Sequence, residues 1–424
     1  MSTASLPLVS ARLDASTPGT APSGIVSGAH RRGFWIVAAV FAATMAFATV
    51  PTPLYVIYER QEGFGPLMVT LIFAAYAAGV VTSVVFTGHV SDRLGRRRML
   101  APAVALNVLS ALVFMVWPAV PGLLLARVVS GLGIGMLAAT ATAHLTELHG
   151  SARPGADGRR AEVVSTAANI GGLGLGPFVS GLLAEYAPAP LFTPYVVFAF
   201  VLVVGVLLVV MVPETVSPAA GQWAYRPQRL AVPRSERGRF FSAWLLGFVG
   251  FAMFGFFTSL APQFVAVQLG VGSPAVSGGL AFAVFGASAV AQVFSSRLRP
   301  AAQQAAGLAL LGAGLVLVVV AIVMASLPAL VAGGTVAGAG VGVTFKFAIG
   351  SVVRLAPAAA RGEALAGLFL GGYLGMSLPV VLLGLVLQVL PLAPSAVAFG
   401  ALLLVLLAAG AMASARSRLA GRAN

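Results

Sequence analysis

Few residues in this 424-residue chain place an ionisable side chain in strongly apolar surroundings. Arg127 opens the run Arg127-Val-Val-Ser-Gly131-Leu-Gly133-Ile-Gly135, and Lys346 stands in Val341-Gly-Val-Thr-Phe-Lys346-Phe. A charge inside an apolar helix is costly, and its default reading is functional. The two residues differ in chemistry. Arg is effectively always protonated, whereas a buried Lys can release its proton. Lys346 is also the one lysine among 25 basic residues. It suits a protonation switch or a site for an anionic substrate group. A plainer reading stands beside each: both lie about one to two turns from a segment end, within reach of snorkelling to the surface.

Other candidates are sparse. His144 and Glu147 are spaced i, i+3 and share a helix face, while His149 falls off it. That spacing suits a proton carrier at His144 better than a metal site, and no metal or other cofactor is expected. No Asp or Glu falls near the middle of an apolar segment, so any proton would be carried by Lys346, His144, Glu147 or Glu59. Phe251 and Phe254, with Tyr55 and Tyr76, are candidates for an adaptable apolar pocket. The plainer reading of these aromatics is packing and lipid contact.

These residues need elements to hold them. The chain is 59% hydrophobic and 8% charged, so the bilayer must be its solvent. Apolar segments run at about 33–58, 66–90, 98–118, 121–147, 163–186, 191–213, 240–267, 274–295, 301–325, 328–353, 363–390 and 394–413. Each is long enough to cross a membrane as a helix, which takes about 20 residues. An all-α integral membrane protein of twelve helices follows. Residues 1–32 read as a disordered cytoplasmic tail, 33–214 as an N-terminal six-helix bundle and 215–239 as a cytoplasmic linker. Residues 240–413 read as a C-terminal bundle and 414–424 as a basic cytoplasmic tail.

The net charge of +14 does not point to nucleic acid. Of the 25 basic residues, Arg60 alone falls in an outer loop, and 22 fall in tails and inner loops. This is the positive-inside pattern, with both termini cytoplasmic in the inner membrane. Disulfides and thiolate metal sites are excluded, because the chain has no cysteine.

The halves repeat one another. Val129-Ser-Gly131-Leu-Gly133-Ile-Gly135 aligns with Val336-Ala-Gly338-Ala-Gly340-Val-Gly342, Pro53 with Pro262, and Pro177 with Pro379. The offsets run from 202 to 209. Duplication of this kind places a transport site between the halves near the midplane. On this alignment Arg127 and Lys346 face the same space at different depths, roughly 18 Å apart along the axis.

Between the second and third segments lies Gly88-His-Val-Ser-Asp92-Arg93-Leu-Gly95-Arg96-Arg97-Arg98. Gly88 allows close approach, Gly95 permits a left-handed turn, and the arginines can reach anionic headgroups. Glu147 is placed to receive one of them. This loop resembles the signature G-x-x-x-D-R-x-G-R-R/K of the major facilitator superfamily. Arg127, Gly131 and Gly135 resemble that family's fourth-helix motif. Gly172, Gly176, Pro177 and Gly181 resemble the fifth-helix motif of its exporting branches, although three residues rather than two separate Pro177 from Gly181.

The resemblance implies two pseudo-symmetric six-helix bundles and transport by alternating access. It implies that Asp92 and its neighbours latch the inner ends of the halves, with a partner near Glu363. Arg127 would serve proton relay or polarise the cavity. The expectation is a monomeric transporter, not an enzyme, whose partners are the bilayer and a small-molecule substrate. It is expected to export small amphiphilic or weakly acidic molecules, driven by the proton gradient. The alternative is an uptake permease for an organic anion. A membrane-embedded transferase would need carboxylate pairs or a His/Asp constellation in surface loops, which the loops do not supply.

Overall fold

A computed structural model of the chain describes residues 23–87, 94–216, 236–357 and 361–423. Among these, twelve helices are long and apolar enough to cross a membrane. The first six are α1 (Gly28–Glu62), α2 (Pro66–Thr87), α3 (Arg96–Val116), α4 (Val120–Ala152), α5 (Arg159–Tyr186) and α6 (Thr193–Val210). The second six are α7 (Arg237–Ser259), α8 (Pro274–Ser295), α9 (Pro300–Val323), α10 (Leu327–Leu355), α11 (Arg361–Val386) and α12 (Leu392–Ala415). No strand occurs among the described residues. Lipid offers no hydrogen bonds, so helices that satisfy their own backbone are the natural solution.

The termini differ from expectation. The first helix begins at Ser23, directly after Pro22, and runs unbroken to Thr49, just before Pro51. The expected tail therefore does not extend to residue 32; residues 1–22 lie outside the described residues. The last helix runs from Leu392 through Ala423, so residues 414–423, expected as a tail, are helical. Both extensions follow from the absence of proline, the strongest helix breaker, along these stretches.

Three helices are interrupted where proline or glycine permits. α1 stops at Thr49, makes a 3-10 turn over Thr52–Leu54 and resumes at Tyr55–Glu62. α7 ends at Ser259, and beyond it come Ala261–Gln263 and a π-helical stretch, Phe264–Gln268. The two breaks fall at the repeat-related Pro53 and Pro262. α5 carries a π-helical stretch over Ala167–Gly171.

The repeat seen in the sequence recurs in packing. In α4, a Cβ added at Gly131 would lie 2.2 Å from the Tyr76 carbonyl of α2; in α10, one at Gly338 would lie 2.2 Å from the Val284 carbonyl of α8. Gly135 and Gly342 meet Val80 and Ser288 in the same way. Each half thus docks its second helix against its fourth through glycine, because no larger residue lets the backbones approach so closely. The halves meet chiefly through α5 with α8 and α2 with α11, two contacts exchanged by the pseudo-symmetry.

Candidate functional site

Between the halves lies a cavity of about 990 Å³. Its lining includes Gly158 and Arg159 at the start of α5 and Ser296 and Arg297 after α8. These belong to the face on which the described chain begins and ends, called here the termini face. The cavity opens toward that face.

The far face is shut. A Cβ at Gly278 of α8 would lie 2.2 Å from the Pro177 carbonyl of α5, and one at Gly181 would lie 2.5 Å from the Pro274 carbonyl. Glu185 Oε2, at the end of α5, accepts hydrogen bonds from Ser273 Oγ (2.8 Å) and Ala275 N (3.3 Å) at the start of α8. Glu59 Oε1 accepts from Gln263 Nε2 across the halves at 3.1 Å.

The glycines of α5 therefore divide their work. Gly172 and Gly176 press against Ala42 and Ala46 of α1 within the first half, while Gly181 and Pro177 meet the second half.

The two walls of the cavity differ. α4 and α5 contribute hydroxyls and an amide: Thr142, Thr146, Ser165, Thr166 and Asn169. The second half contributes aromatic rings. Phe251 packs against Phe345 (4.9 Å between centroids), Phe254 (5.7 Å) and Tyr373 (6.2 Å), and Phe254 stacks on Phe285 at 4.3 Å. Ser288 and Gln292 of α8 also line the cavity, and Ser288 Oγ and Gln292 Oε1 are buried without a hydrogen-bond partner. Polar atoms buried without partners are costly, so these two are ready acceptors for water or a bound molecule. Their spacing of four within an apolar helix is the sequence signal that marks them.

Arg127 sits at the closed end, 2% exposed, and does not snorkel. Its Nη1 donates to the Ala48 carbonyl of α1 at 2.6 Å. Its guanidinium lies 4.4 Å from the Tyr76 ring centroid and 5.6 Å from that of Phe73. Ala48 is the last residue but one before α1 breaks at Thr49, where carbonyls lose their helical donors. Ser180 of α5 donates to the Val50 carbonyl at 2.9 Å. The break in α1 is thus held by side chains from α4 and α5. The negative end of the α1 dipole and two aromatic faces compensate the guanidinium charge. Arg127 Nε remains without a partner.

Lys346 lines the cavity toward the termini face, where its Nζ contacts Glu162 Oε1 of the opposite half. Glu162 is absent from the sequence-based candidates. The expected fifth segment began at 163, whereas α5 begins at Arg159 and carries Glu162 into the cavity mouth.

Two expected pathway residues lie elsewhere. His144 is fully buried outside the cavity lining, with Nε2 3.1 Å from the Pro213 carbonyl at the end of α6. It is two residues from both Thr142 and Thr146, hence about 200° round the helix from the cavity face. Tyr55 is buried beyond the α1 break and does not line the cavity.

Of the loop between α2 and α3, Gly88, Asp92 and Arg93 lie outside the described residues, and with them any contact toward Glu363. Gly95 adopts a φ of 103°, a conformation that disfavours side chains. A Cβ there would also lie 2.5 Å from Glu214 Oε2. The Glu214 carboxylate accepts from the backbone N–H groups of Arg96 (2.8 Å) and Arg97 (3.1 Å), capping the positive start of α3. Arg96 turns its side chain to Glu147 of α4 at 2.8 Å, and Thr215 donates to the other Glu147 oxygen. Arg97 Nη1 donates to the Val210 carbonyl at 3.2 Å. The cluster joins α3, α4 and α6 within the first half. Glu214 stands in Pro213-Glu214-Thr215 just after α6, and its role as a cap emerges only in the fold.

Among the described residues, no group of three His, Asp or Glu side chains is arranged to hold a metal ion.

Comparison with known proteins agrees with this architecture. Residues 34–304 match the model of the Major Facilitator Superfamily. An arabinose-proton symporter of Bacillus subtilis (strain 168) is 38% identical over 82 residues, which span 19% of this chain and 18% of that protein. The fold superposes on the human organic anion transporter MFSD10 (TETRAN) with a TM-score of 0.66 and 17% identity, covering 89% of this chain and 98% of the other. It superposes on a peptide transporter POT with a TM-score of 0.70 and 16% identity, covering 94% and 99%. Family and fold are those of multi-pass membrane transporters of small molecules rather than of enzymes. The chain belongs to the Major Facilitator Superfamily.

Proposed function

We propose that this protein is a monomeric secondary active transporter that moves small amphiphilic or weakly acidic molecules, drugs or metabolites, across the cytoplasmic membrane. The halves rock about the cavity, exposing it to each side in turn. The termini face is cytoplasmic, so the state described is open inward. One observation carries the reading: the cavity has an aromatic wall, a hydroxyl wall and a cation at its closed end. Such a cavity suits a ligand with an apolar body and a polar or anionic head. The leading mode is proton-coupled export, an antiport that would confer efflux of drug-like compounds. The glycine and proline pattern of α5 supports it.

Uptake of an organic anion together with a proton is the second reading. The pairing of Lys346 with Glu162, the one carboxylate among the described lining residues, favours it, because an anion bound at Lys346 would free Glu162 to take a proton. The named activities of the symporter and of the organic anion transporter are compatible with this mode. Accumulation of cationic, neutral and anionic fluorescent compounds in efflux-deficient cells, with and without the protein, tests the reading. Protonophore-sensitive loss of one class is expected under export, and gain of anions under uptake. If no class responds, the amphiphile assignment is wrong.

A further inference from the structure

Among the described residues, Glu162 is the one carboxylate that lines the cavity. It stands in the first turn of α5, in the first half, and its Oε1 contacts Nζ of Lys346 on α10, in the second half. The ion pair therefore bridges the halves at the cavity mouth. The Glu162 side chain is 48% exposed and that of Lys346 22%, so water reaches the carboxylate from the termini face.

The other charged groups here are cationic. Arg159, on α5 itself, and Arg297, beyond α8, line the same mouth. Arg160 is turned away, its guanidinium 5.5 Å from the Trp35 ring. α4 offers the uncharged Thr142 and Thr146, and α7 and α11 offer aromatic rings. Glu162 is thus the one carboxylate among the described residues that line this positive mouth, and its partner stands on the opposite half.

We propose that Glu162 is the proton-binding group of the transport cycle, and that Lys346 is the counter-ion that decides when it is available. The proposal rests on the reading of this cavity as the transport site. With Glu162 ionised, the pair is neutral and ties α5 to α10. A proton taken from the mouth converts the carboxylate to the acid, ends the ion pair and unties the halves on this face. It also leaves the Lys346 charge free for an anionic group of a substrate.

The test needs no known substrate, because the chain has no cysteine of its own. Ser151 at the end of α4 and Ala302 at the start of α9 are both exposed on the termini face, in opposite halves. Spin labels on S151C/A302C in lipid nanodiscs report the separation of the halves between pH 8 and pH 4, a range that reaches the ordinary value of a Glu carboxylate at about 4.3. In the otherwise unaltered protein the distance distribution is expected to change as pH falls. E162Q is expected to show the low-pH distribution throughout, and the charge-exchanged E162K/K346E to recover the high-pH one. An unaltered protein that ignores pH, or an E162Q variant that keeps the full pH response, overturns the proposal. A second label pair, Q61C/Q268C, sits on exposed positions of the far face. If that pair never widens under any condition, alternating access itself fails, a result distinct from failure of the Glu162 assignment.

Discussion

Replacing Gly278 by alanine should tip the protein toward the state open on the far face. The added Cβ would lie 2.2 Å from the Pro177 carbonyl, against ordinary contact at 3.4–4 Å, so α5 and α8 must part by about 1.2 Å there. The obstacle is backbone, which cannot swing aside as a side chain can. Overpacking of this kind costs about 1–3 kcal/mol. The clash exists only while the halves are closed on this face, so the cost falls on one state alone. A differential of that size shifts the equilibrium roughly 5- to 150-fold. Folding should not suffer, because alanine is the better helix former by about 1 kcal/mol in either state. The readout is the far-face label pair Q61C/Q268C, which should acquire a longer-distance population in G278A. Gly286 of the same helix provides the control, since a Cβ there meets nothing within 4 Å and G286A should leave the distribution unchanged. An unchanged distribution in G278A, or an equal response in G286A, would refute the reasoning.

Four further outcomes are expected. R127A leaves the Ala48 carbonyl at the α1 break without its donor, at a cost of about 1–3 kcal/mol; it should lower thermal stability and abolish transport while membrane insertion persists, and a wild-type rate would contradict the role given to Arg127. E147Q weakens the cluster of Arg96, Glu147 and Thr215; it should lower thermal stability while leaving the response of the termini-face labels to pH intact, and loss of that response would show that Glu147 shares the proton. K346R keeps the cross-half charge and should retain most of the pH response; its loss would mean that Lys346 must itself release a proton. D92N should cripple transport without preventing insertion, and full activity would remove the latch role expected of Asp92.

Some of this was legible in the sequence. Hydropathy located the twelve helices because a bilayer forces each crossing to satisfy its own backbone; the eighth expected segment, 274–295, coincides with α8. The duplication was legible too, since Gly131 and Gly338 must face a neighbouring backbone in both halves. Glu162 was lost to the same criterion that found the helices. An apolar count stops at the first charge, whereas α5 begins at Arg159, because its first turn is exposed at the cavity mouth. The partner of Arg127 was beyond reach for another reason. Pro51 and Pro53 announce a break in α1, but only packing shows that Arg127 from α4 and Ser180 from α5 close it. His144 lies off the cavity lining, its Nε2 against the Pro213 carbonyl, a placement set by how α4 packs on the chain after α6 rather than by spacing along the sequence.

Proton movement in reconstituted vesicles tests the central claim most directly. A pH-sensitive dye trapped inside reports proton flux when cationic, neutral and anionic amphiphiles are added outside, for the unaltered protein and for E162Q side by side. The account predicts proton flux evoked by a weakly acidic amphiphile, with its sign distinguishing symport from antiport, and no such flux in E162Q. Equal flux in E162Q would contradict the assignment of the proton to the cavity. Substrate movement with no proton flux in either protein would contradict proton coupling altogether.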